Sequence, residues 1–253
     1  MIILIDWIDT KMNKNKTKGR PQKKPNYNEK KIMQEFLSAI SDAYLGGGAA
    51  GNKKTSATSL RQVADEFDIT LMKTRKLLIT AGVYHTEISD EVNALRTQGK
   101  SIEQIMELTG LKRSSVHSYL PYHKSIYNLK DLSLYAERCR LYRRRKKAVE
   151  ALGNCKESIA MEEKLWEAIQ AFAGYRFSTV KGLRFSYSVS GNELLMDRKK
   201  KAIVRSSVNV ALQNCREHEW RVSGPKAMNV YGASYLYPMF LRFGLIQIES
   251  IPG

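Results

Sequence analysis

Residues 87–121 read EISDEVNALRTQGKSIEQIMELTGLKRSSVHSYLP and carry the clearest structural signal in the chain. Ser101 is followed three residues later by Gln104, the order in which a hydroxyl and an amide cap the start of a helix. Gly110 ends this helix, because glycine adopts the left-handed backbone of a tight turn without a steric penalty. Between them, apolar residues recur at helical spacing: Ile102, Ile105, Met106 and Leu108.

A second helix is predicted directly after the turn, over residues 112–119. Leu111, Val116 and Leu120 are its apolar residues, and Pro121 stops it because proline cannot continue an α-helix. The remaining side chains are short or basic and can donate hydrogen bonds, as a helix in the major groove requires. These candidate DNA-reading residues are Lys112, Arg113, Ser114, Ser115, His117 and Ser118.

In these residues the segment resembles the helix-turn-helix superfamily that includes sigma-factor region 4 and the DNA-binding domains of resolvases and invertases. The resemblance is confined to residues 87–121, and it implies that residues 112–118 face the DNA groove. It also implies a three-helix core built from Ile102, Ile105, Leu111 and Val116. The alternative is a short helical hairpin with a solvated basic face.

Residues 59–82 repeat this layout, so we call them the first unit and residues 87–121 the second unit. Ser59 and Gln62 form another capping pair, residues 68–70 can make the turn, and a helix follows over residues 71–80. Its inward side chains are predicted to be Leu71, Leu77 and Leu78. Its outward side chains are predicted to be Met72, Lys73, Arg75 and Lys76, of which the three cations are candidate DNA contacts.

Two such recognition helices in one chain are expected to read adjacent segments of the major groove or to share one bipartite site. The alternative is that the first unit only supports the second.

The net charge of +17 over 253 residues favours a polyanionic partner. Clustered lysine and arginine gain free energy on nucleic acid by releasing counterions, so we expect double-stranded DNA as the partner. No window approaches the roughly 20 apolar residues of a transmembrane helix. Residues 2–5 are too short an apolar run for a signal peptide, so a cytoplasmic protein without membrane contact is expected. Three cysteines without a CxxC pair indicate no disulfide framework or zinc site, and no cofactor is expected.

Residues 1–26 are predicted to form a basic flexible arm. Within the arm, Lys18-Gly19-Arg20-Pro21 looks like an AT-hook core with lysine in place of the usual first arginine. Such a core is extended, so Arg20 is expected to enter a narrow minor groove. The alternative is a non-specific basic tail.

Residues 132–152 are predicted to form a basic helix that completes a helical DNA-binding domain over residues 27–153. Seven arginines and lysines fall within residues 138–147, so charge is expected nearly all round this helix. Such a run is suited to phosphate contacts, and its candidate residues are Arg140, Arg143, Arg144 and Lys147. The alternative is a solvated charged face.

Residues 154–253 are predicted to form a small α+β domain. A β-hairpin is expected from the alternation over residues 183–189, the turn at residues 190–192 and the returning strand at residues 193–197. The basic run at residues 198–201 follows it. Helices are expected over residues 158–173, 206–218 and 233–243. The fold class is therefore mainly α with tandem helix-turn-helix units in the N-terminal half, and α+β with a β-hairpin in the C-terminal half.

One pattern in the C-terminal half points to catalysis. Asp197-Arg198-Lys199 resembles the DxK half of the restriction-endonuclease core, in which carboxylates hold Mg²⁺ and lysine orients the attacking water. The preceding strand holds no acidic residue, so Glu193, Glu163 or Glu167 would have to complete the site with Asp197 and Lys199. Mg²⁺ is expected only under this alternative.

The function expected from the sequence is sequence-specific binding of double-stranded DNA, as a transcription regulator or sigma-like factor. A Mg²⁺-dependent, site-specific DNA endonuclease is the alternative from a different class. The C-terminal half is a candidate surface for a homodimer or for the transcription machinery.

Overall fold

The computed structural model describes residues 28–46 and 58–247. The predicted arm and Arg20 lie outside these residues. The N-terminal half consists of α-helices only in its described part: α1 (Glu29–Tyr44), α2 (Leu60–Phe67), α3 (Leu71–Thr80), α4 (Glu87–Thr97), α5 (Ile102–Thr109), α6 (Arg113–Tyr119) and α7 (Leu129–Gly153).

The C-terminal half combines helices with short strands. It comprises α8 (Ser158–Ala171), β1 (Phe177–Ser178), β2 (Arg184–Phe185), β3 (Tyr187–Ser190), β4 (Glu193–Met196), β5 (Ile203–Val204), α9 (Arg205–Glu217), a 3₁₀ turn (Pro225–Met228) and α10 (Ala233–Arg242). The predicted fold class is confirmed: the N-terminal half contains two helix-turn-helix units, and the C-terminal half is α+β with a hairpin.

The predicted helix starts and turn are confirmed at atomic detail. Ser59 and Ser101 each accept a hydrogen bond from the backbone N–H three residues on, and Gln62 and Gln104 return the bond, so both capping boxes form. Gly110 has φ 68°, in the left-handed region. The first unit turns on a residue with a side chain, Asp68 at φ 49°, which aspartate tolerates better than most residues.

The hairpin differs from its prediction in its first strand. Strands β3 and β4 pair antiparallel, and their partners run from Ser190 with Glu193 beside the turn to Tyr187 with Met196. Strand β5 pairs with β4 and extends them to a three-stranded sheet. Residues 183–189 are not one strand, because the chain bends at Ser186 and β2 pairs with β1 instead. The Ser186 backbone N–H and hydroxyl both donate to the Asp197 carboxylate, at 2.9 and 3.1 Å, and these bonds hold the bend.

The core of the N-terminal half is an aromatic cluster between α1, α2 and α7. Phe36 stacks on Tyr135 with ring centroids 4.2 Å apart and meets Phe67 edge-on at 5.6 Å. Helix α7 therefore has an apolar face, and the expectation of charge nearly all round it is wrong. Its buried stripe contains Leu132, Tyr135, Cys139, Tyr142, Arg145, Val149 and Leu152.

A second core lies between α8, α9, α10 and the two sheets. Phe172, Tyr187 and Phe240 are buried in it, and Val149 and Leu152 of α7 belong to the same cluster. Helix α7 thus contributes its first turns to one core and its last turns to the other.

A buried carboxylate joins the two halves. Glu66, at the end of α2, has a side chain only 3% exposed and accepts ion pairs from Arg145 at 3.3 Å and Arg242 at 2.5 Å. Both guanidinium groups also lie over the rings of Phe172 and Tyr175. Burial alone would lower the pKa of Arg242, but the charge of Glu66 and the Tyr175 phenol outweigh it, and the pKa is raised.

The neighbouring carboxylates of the first unit extend this junction. Asp65 lies 4.0 Å from Arg184 of β2, and Asp68 lies 3.5 Å from Arg176. The end of α2 therefore offers three acidic side chains to arginines that come from α7 and from the C-terminal half.

Removal of the Glu66 carboxylate is expected to destabilise the protein strongly. Glu66→Ala leaves two largely buried guanidinium groups without their anion, which costs about 3–5 kcal/mol of unfolding free energy. Glu35→Ala is the matched control, because its pair with Arg143 is partly exposed to solvent and contributes at most about 1 kcal/mol. Urea denaturation measures both, and equal losses would contradict the assigned role of Glu66.

The turn of the second unit is expected to require glycine. Gly110→Ala introduces a side chain at positive φ, where no atom crowds the new Cβ, so the cost is backbone strain of about 1–2 kcal/mol. Gly153→Ala is the control: its Cβ also meets open space, but the site is the helical end of α7, where alanine stabilises by up to about 1 kcal/mol. Thermal denaturation should therefore give shifts of opposite sign, and a fall in Tm for both variants would contradict the assignment.

Candidate nucleic-acid interface

The second unit is a three-helix cluster with a small core of its own. Val92 of α4, Ile105 of α5 and Val116 of α6 are fully buried against one another. Ile102 and Leu111 pack against them partly buried, as expected. Leu108, the last apolar residue of the α5 pattern, is 59% exposed and lies outside this core.

Helix α6 presents part of the predicted set of side chains to solvent. Lys112, Arg113, Ser114 and His117 are exposed, while Ser115 is half-buried. Ser118 does not face outward: it is 8% exposed, donates to the Ser115 carbonyl at 2.8 Å and accepts from Arg75 at 3.4 Å. The exposed face of α6 is therefore formed by the N-cap residue Lys112, by Arg113 and Ser114 of the first turn, and by His117.

Arg113 is held in place by an acidic neighbour. Its guanidinium donates to Glu103 of α5 at 2.6 Å, and both side chains are more than half exposed. The pKa of Glu103 is lowered, first by a hydrogen bond from its own backbone N–H and then by the Arg113 guanidinium. The supporting helix and the outward helix thus place a cation and an anion side by side at the candidate interface.

The three candidate cations of α3 lie on aromatic rings. The Lys73 ammonium lies 4.8 Å from the Tyr135 ring centroid, Arg75 lies 5.0 Å from that of Tyr119, and Lys76 lies 4.8 Å from that of Tyr122. All three are half-buried, and burial lowers the pKa of Lys73 and Lys76.

The α3 cations also fasten the end of α6. Lys76 donates to the His117 carbonyl at 3.0 Å, where a cation complements the negative end of the helix dipole. The Tyr122 backbone N–H donates to the Thr80 hydroxyl at 2.9 Å. Met72 is exposed as predicted, whereas Leu71, predicted inward, is 44% exposed.

The direct contact between α3 and α6 limits how the two units can meet DNA. Arg75 and Lys76 touch the last turn of α6, and this contact lies within roughly 10 Å of the N-terminus of each helix. Successive major-groove segments are about 34 Å apart, so this contact does not favour the expectation that the two helices read adjacent segments. The groove is about 12 Å wide and accepts one helix at a time. The geometry fits the alternative in which the first unit supports the second.

Most cations of the basic run on α7 are already paired. Arg138 donates to the Asp68 carbonyl at 2.8 Å, Arg143 pairs with Glu35 at 3.2 Å, and Lys146 pairs with Asp42 at 2.7 Å. Arg145 is buried with Glu66. Three exposed cations lie along one face of the helix: Arg140, Arg144 and Lys147. None of them forms an ion pair within residues 28–46 and 58–247.

The residues of the endonuclease alternative do not converge. Glu193 and Asp197 lie four positions apart along one extended segment, which separates them by about 13 Å. Asp197 is bound to Ser186, and the Lys199 ammonium lies over the Tyr231 ring. Among the residues that the structure covers, no group of three or more histidine, cysteine, aspartate or glutamate side chains is placed to hold a metal ion.

Comparisons add no relative to this geometry: no family model, curated protein or solved structure matches the chain. In the described part of the chain, no helix is both long enough and apolar enough to cross a membrane.

The contact between α3 and α6 predicts that Arg75 contributes to the stability of the protein, whereas Arg113 does not. Arg75→Ala removes the half-buried cation that lies over the Tyr119 ring and the hydrogen bond that this cation donates to Ser118. The substitution should therefore lower the unfolding free energy by about 1–2 kcal/mol. Arg113→Ala should leave it nearly unchanged, because the pair with Glu103 is solvated. Chemical denaturation of both variants tests this, and an unaltered stability in Arg75→Ala would show that α3 does not support α6.

Proposed function

We propose that this protein binds double-stranded DNA sequence-specifically, with α6 in the major groove. The observation that carries the proposal is the geometry of α5, the Gly110 turn and α6. A three-helix core fixes α6 from behind, and Lys112 at its N-cap together with Arg113, Ser114 and His117 of the helix face solvent. In helix-turn-helix proteins the N-terminal residues of the second helix contact the base edges.

The exposed side chains have the chemistry of base readers. Arginine and lysine can donate to the O6 and N7 atoms of guanine, and serine can pair with either type of base edge. Arg113 would exchange its solvated contact with Glu103 for a guanine. This exchange would cost little free energy, because solvated ion pairs are weak. Glu103 would then be available to accept from a cytosine amino group.

Phosphate contacts supply the sequence-independent part of the proposed affinity. Arg140, Arg144 and Lys147 are candidates, because they lie on one exposed helical face and are not committed to ion pairs among the described residues. Each contact would release a counterion and make the binding dependent on salt.

We further propose a role in transcription, as a regulator or sigma-like factor. This part rests on the resemblance of residues 87–121 to the helix-turn-helix superfamily and on the presence of a single reading helix joined to a separate C-terminal half. That half would serve as the surface for a second copy or for the transcription machinery. No observation favours the endonuclease alternative, because Glu193 and Asp197 lie too far apart to share a metal ion.

Selection of bound duplexes from a random pool is the first test, and it should recover a preferred sequence with both strands intact. On that sequence, Arg113→Ala should weaken binding by about 1–3 kcal/mol and relax the choice at one base pair. Arg144→Ala is the matched control, since removal of a phosphate-binding cation weakens preferred and random duplexes alike.

Two results would contradict the proposal. Equal losses on preferred and random duplex from Arg113→Ala would remove α6 as the reader. Cut strands in the selected pool, absent with Asp197→Ala, would establish the endonuclease instead.

A further inference from the structure

The unpaired positive charge of the C-terminal half is concentrated outside its helices. Residues 198–201 read Arg-Lys-Lys-Lys, lie between β4 and β5, and are all exposed. None of these four side chains forms an ion pair within the described residues. The contrast with α7 is direct, because four of the seven cations in that run are bound to residues of α1, of α2 and of the turn after α2.

Aromatic rings fix the position of this basic run. The ammonium groups of Lys199 and Lys201 lie 4.7 and 4.8 Å from the Tyr231 ring centroid, and Lys199 also lies 5.3 Å from that of Tyr235. Tyr235 is itself held edge-on against Phe185, with the ring centroids 4.8 Å apart. Cation–π contacts of this kind position a lysine while leaving its N–H donors available.

The close approach of α10 to β5 brings these groups together. Gly232, the residue before α10, has φ 83°, and a Cβ there would collide with the Ile203 side chain. This contact sets Tyr231 beside the basic run that precedes Ile203. The position therefore requires glycine for both space and backbone conformation.

A shallow depression that is largely open to solvent borders the same cluster. It has a volume of about 610 Å³, and its lining includes Lys226, Asn229, Tyr231 and Ser234. Among the described residues that line it, none is acidic. Lys226 is exposed and adds a fifth cation without an ion pair in the described chain.

We infer that Arg198, Lys199, Lys200, Lys201 and Lys226, together with Tyr231, form a second contact surface for duplex DNA, which binds the phosphate backbone without regard to sequence. We call this set the lysine surface. The inference rests on the proposed function, because it assigns a second surface to the same partner.

The composition of the lysine surface favours nucleic acid over a protein partner. Protein interfaces are depleted of lysine and are organised around buried apolar anchors, whereas phosphate contacts use exposed cations. Lysine acts as a point charge, which suits a row of phosphates that is bound for its charge and not for its bases.

The test compares two variants of the full chain with the same reduction in charge. One replaces Lys199, Lys200, Lys201 and Lys226 with glutamine, and the other replaces Lys30, Lys31, Lys156 and Lys181, which are exposed lysines elsewhere. Binding to a 30-base-pair duplex of mixed sequence is measured by fluorescence anisotropy over a series of salt concentrations. The slope of log K against log salt is negative, and it becomes shallower by about 0.9 for each phosphate that the variant no longer neutralises.

The expected result is a slope shallower by about 2–4 for the first variant, and by less than about 1 for the control. A second measurement uses the unaltered protein: acetylation of Lys199, Lys200, Lys201 and Lys226 should slow when duplex is bound, while acetylation of Lys30 should not.

Each other outcome overturns a defined claim. If the slope decreases equally in the two variants, or if the first variant keeps the slope of the unaltered protein, the lysine surface does not bind DNA. Unslowed acetylation of its four lysines in the bound protein overturns it as well. If the unaltered protein does not bind duplex at all, the proposed function fails and the inference fails with it.

Discussion

A single carboxylate, Glu66, constrains how the two halves of this protein meet. It lies at the end of α2, is almost fully buried, and binds one arginine from α7 and one from α10. A buried charge is stable only where its counter-charges are fixed beside it, so the positions of three helices depend on one another at this point. The aromatic rings of Phe172 and Tyr175 lie against both guanidinium groups at this junction. The first unit is therefore a structural centre of the molecule, although its sequence has the layout of a DNA reader.

That position explains why the two helix-turn-helix units are unequal. The first unit uses α2 to hold the C-terminal half and α3 to hold α6, so neither helix has a free face comparable to that of α6. The side chains of Lys73, Arg75 and Lys76 lie over aromatic rings of the protein itself. The second unit touches the rest of the chain mainly through the end of α6, which leaves the beginning of that helix exposed.

Local signals made most of the fold predictable from the sequence. The two capping boxes, the glycine turn, the short helix after it and the hairpin turn each depend on residues a few positions apart. What failed depends on distant partners: Ser118 turns inward because Arg75, 43 residues away, reaches it. Glu66 and Arg242 are separated by 176 residues, and no local pattern connects them. The apolar stripe of α7 is a different case, because its spacing from Leu132 to Leu152 was present in the sequence beneath the more conspicuous charge.

Arg143, Arg144 and Arg145 show why a charge run on a helix is a poor guide to a binding surface. Successive residues point about 100° apart around an α-helix, so three identical side chains reach three environments. Arg143 meets Glu35 of α1, Arg144 faces solvent, and Arg145 enters the core to meet Glu66. Only a third of this triplet remains for a partner. The run at residues 198–201 lies between two strands, where no helical rotation turns its side chains toward the core. All four of its side chains are exposed. The positive charge open to a polyanion is thus set by the surrounding backbone as much as by the number of cations.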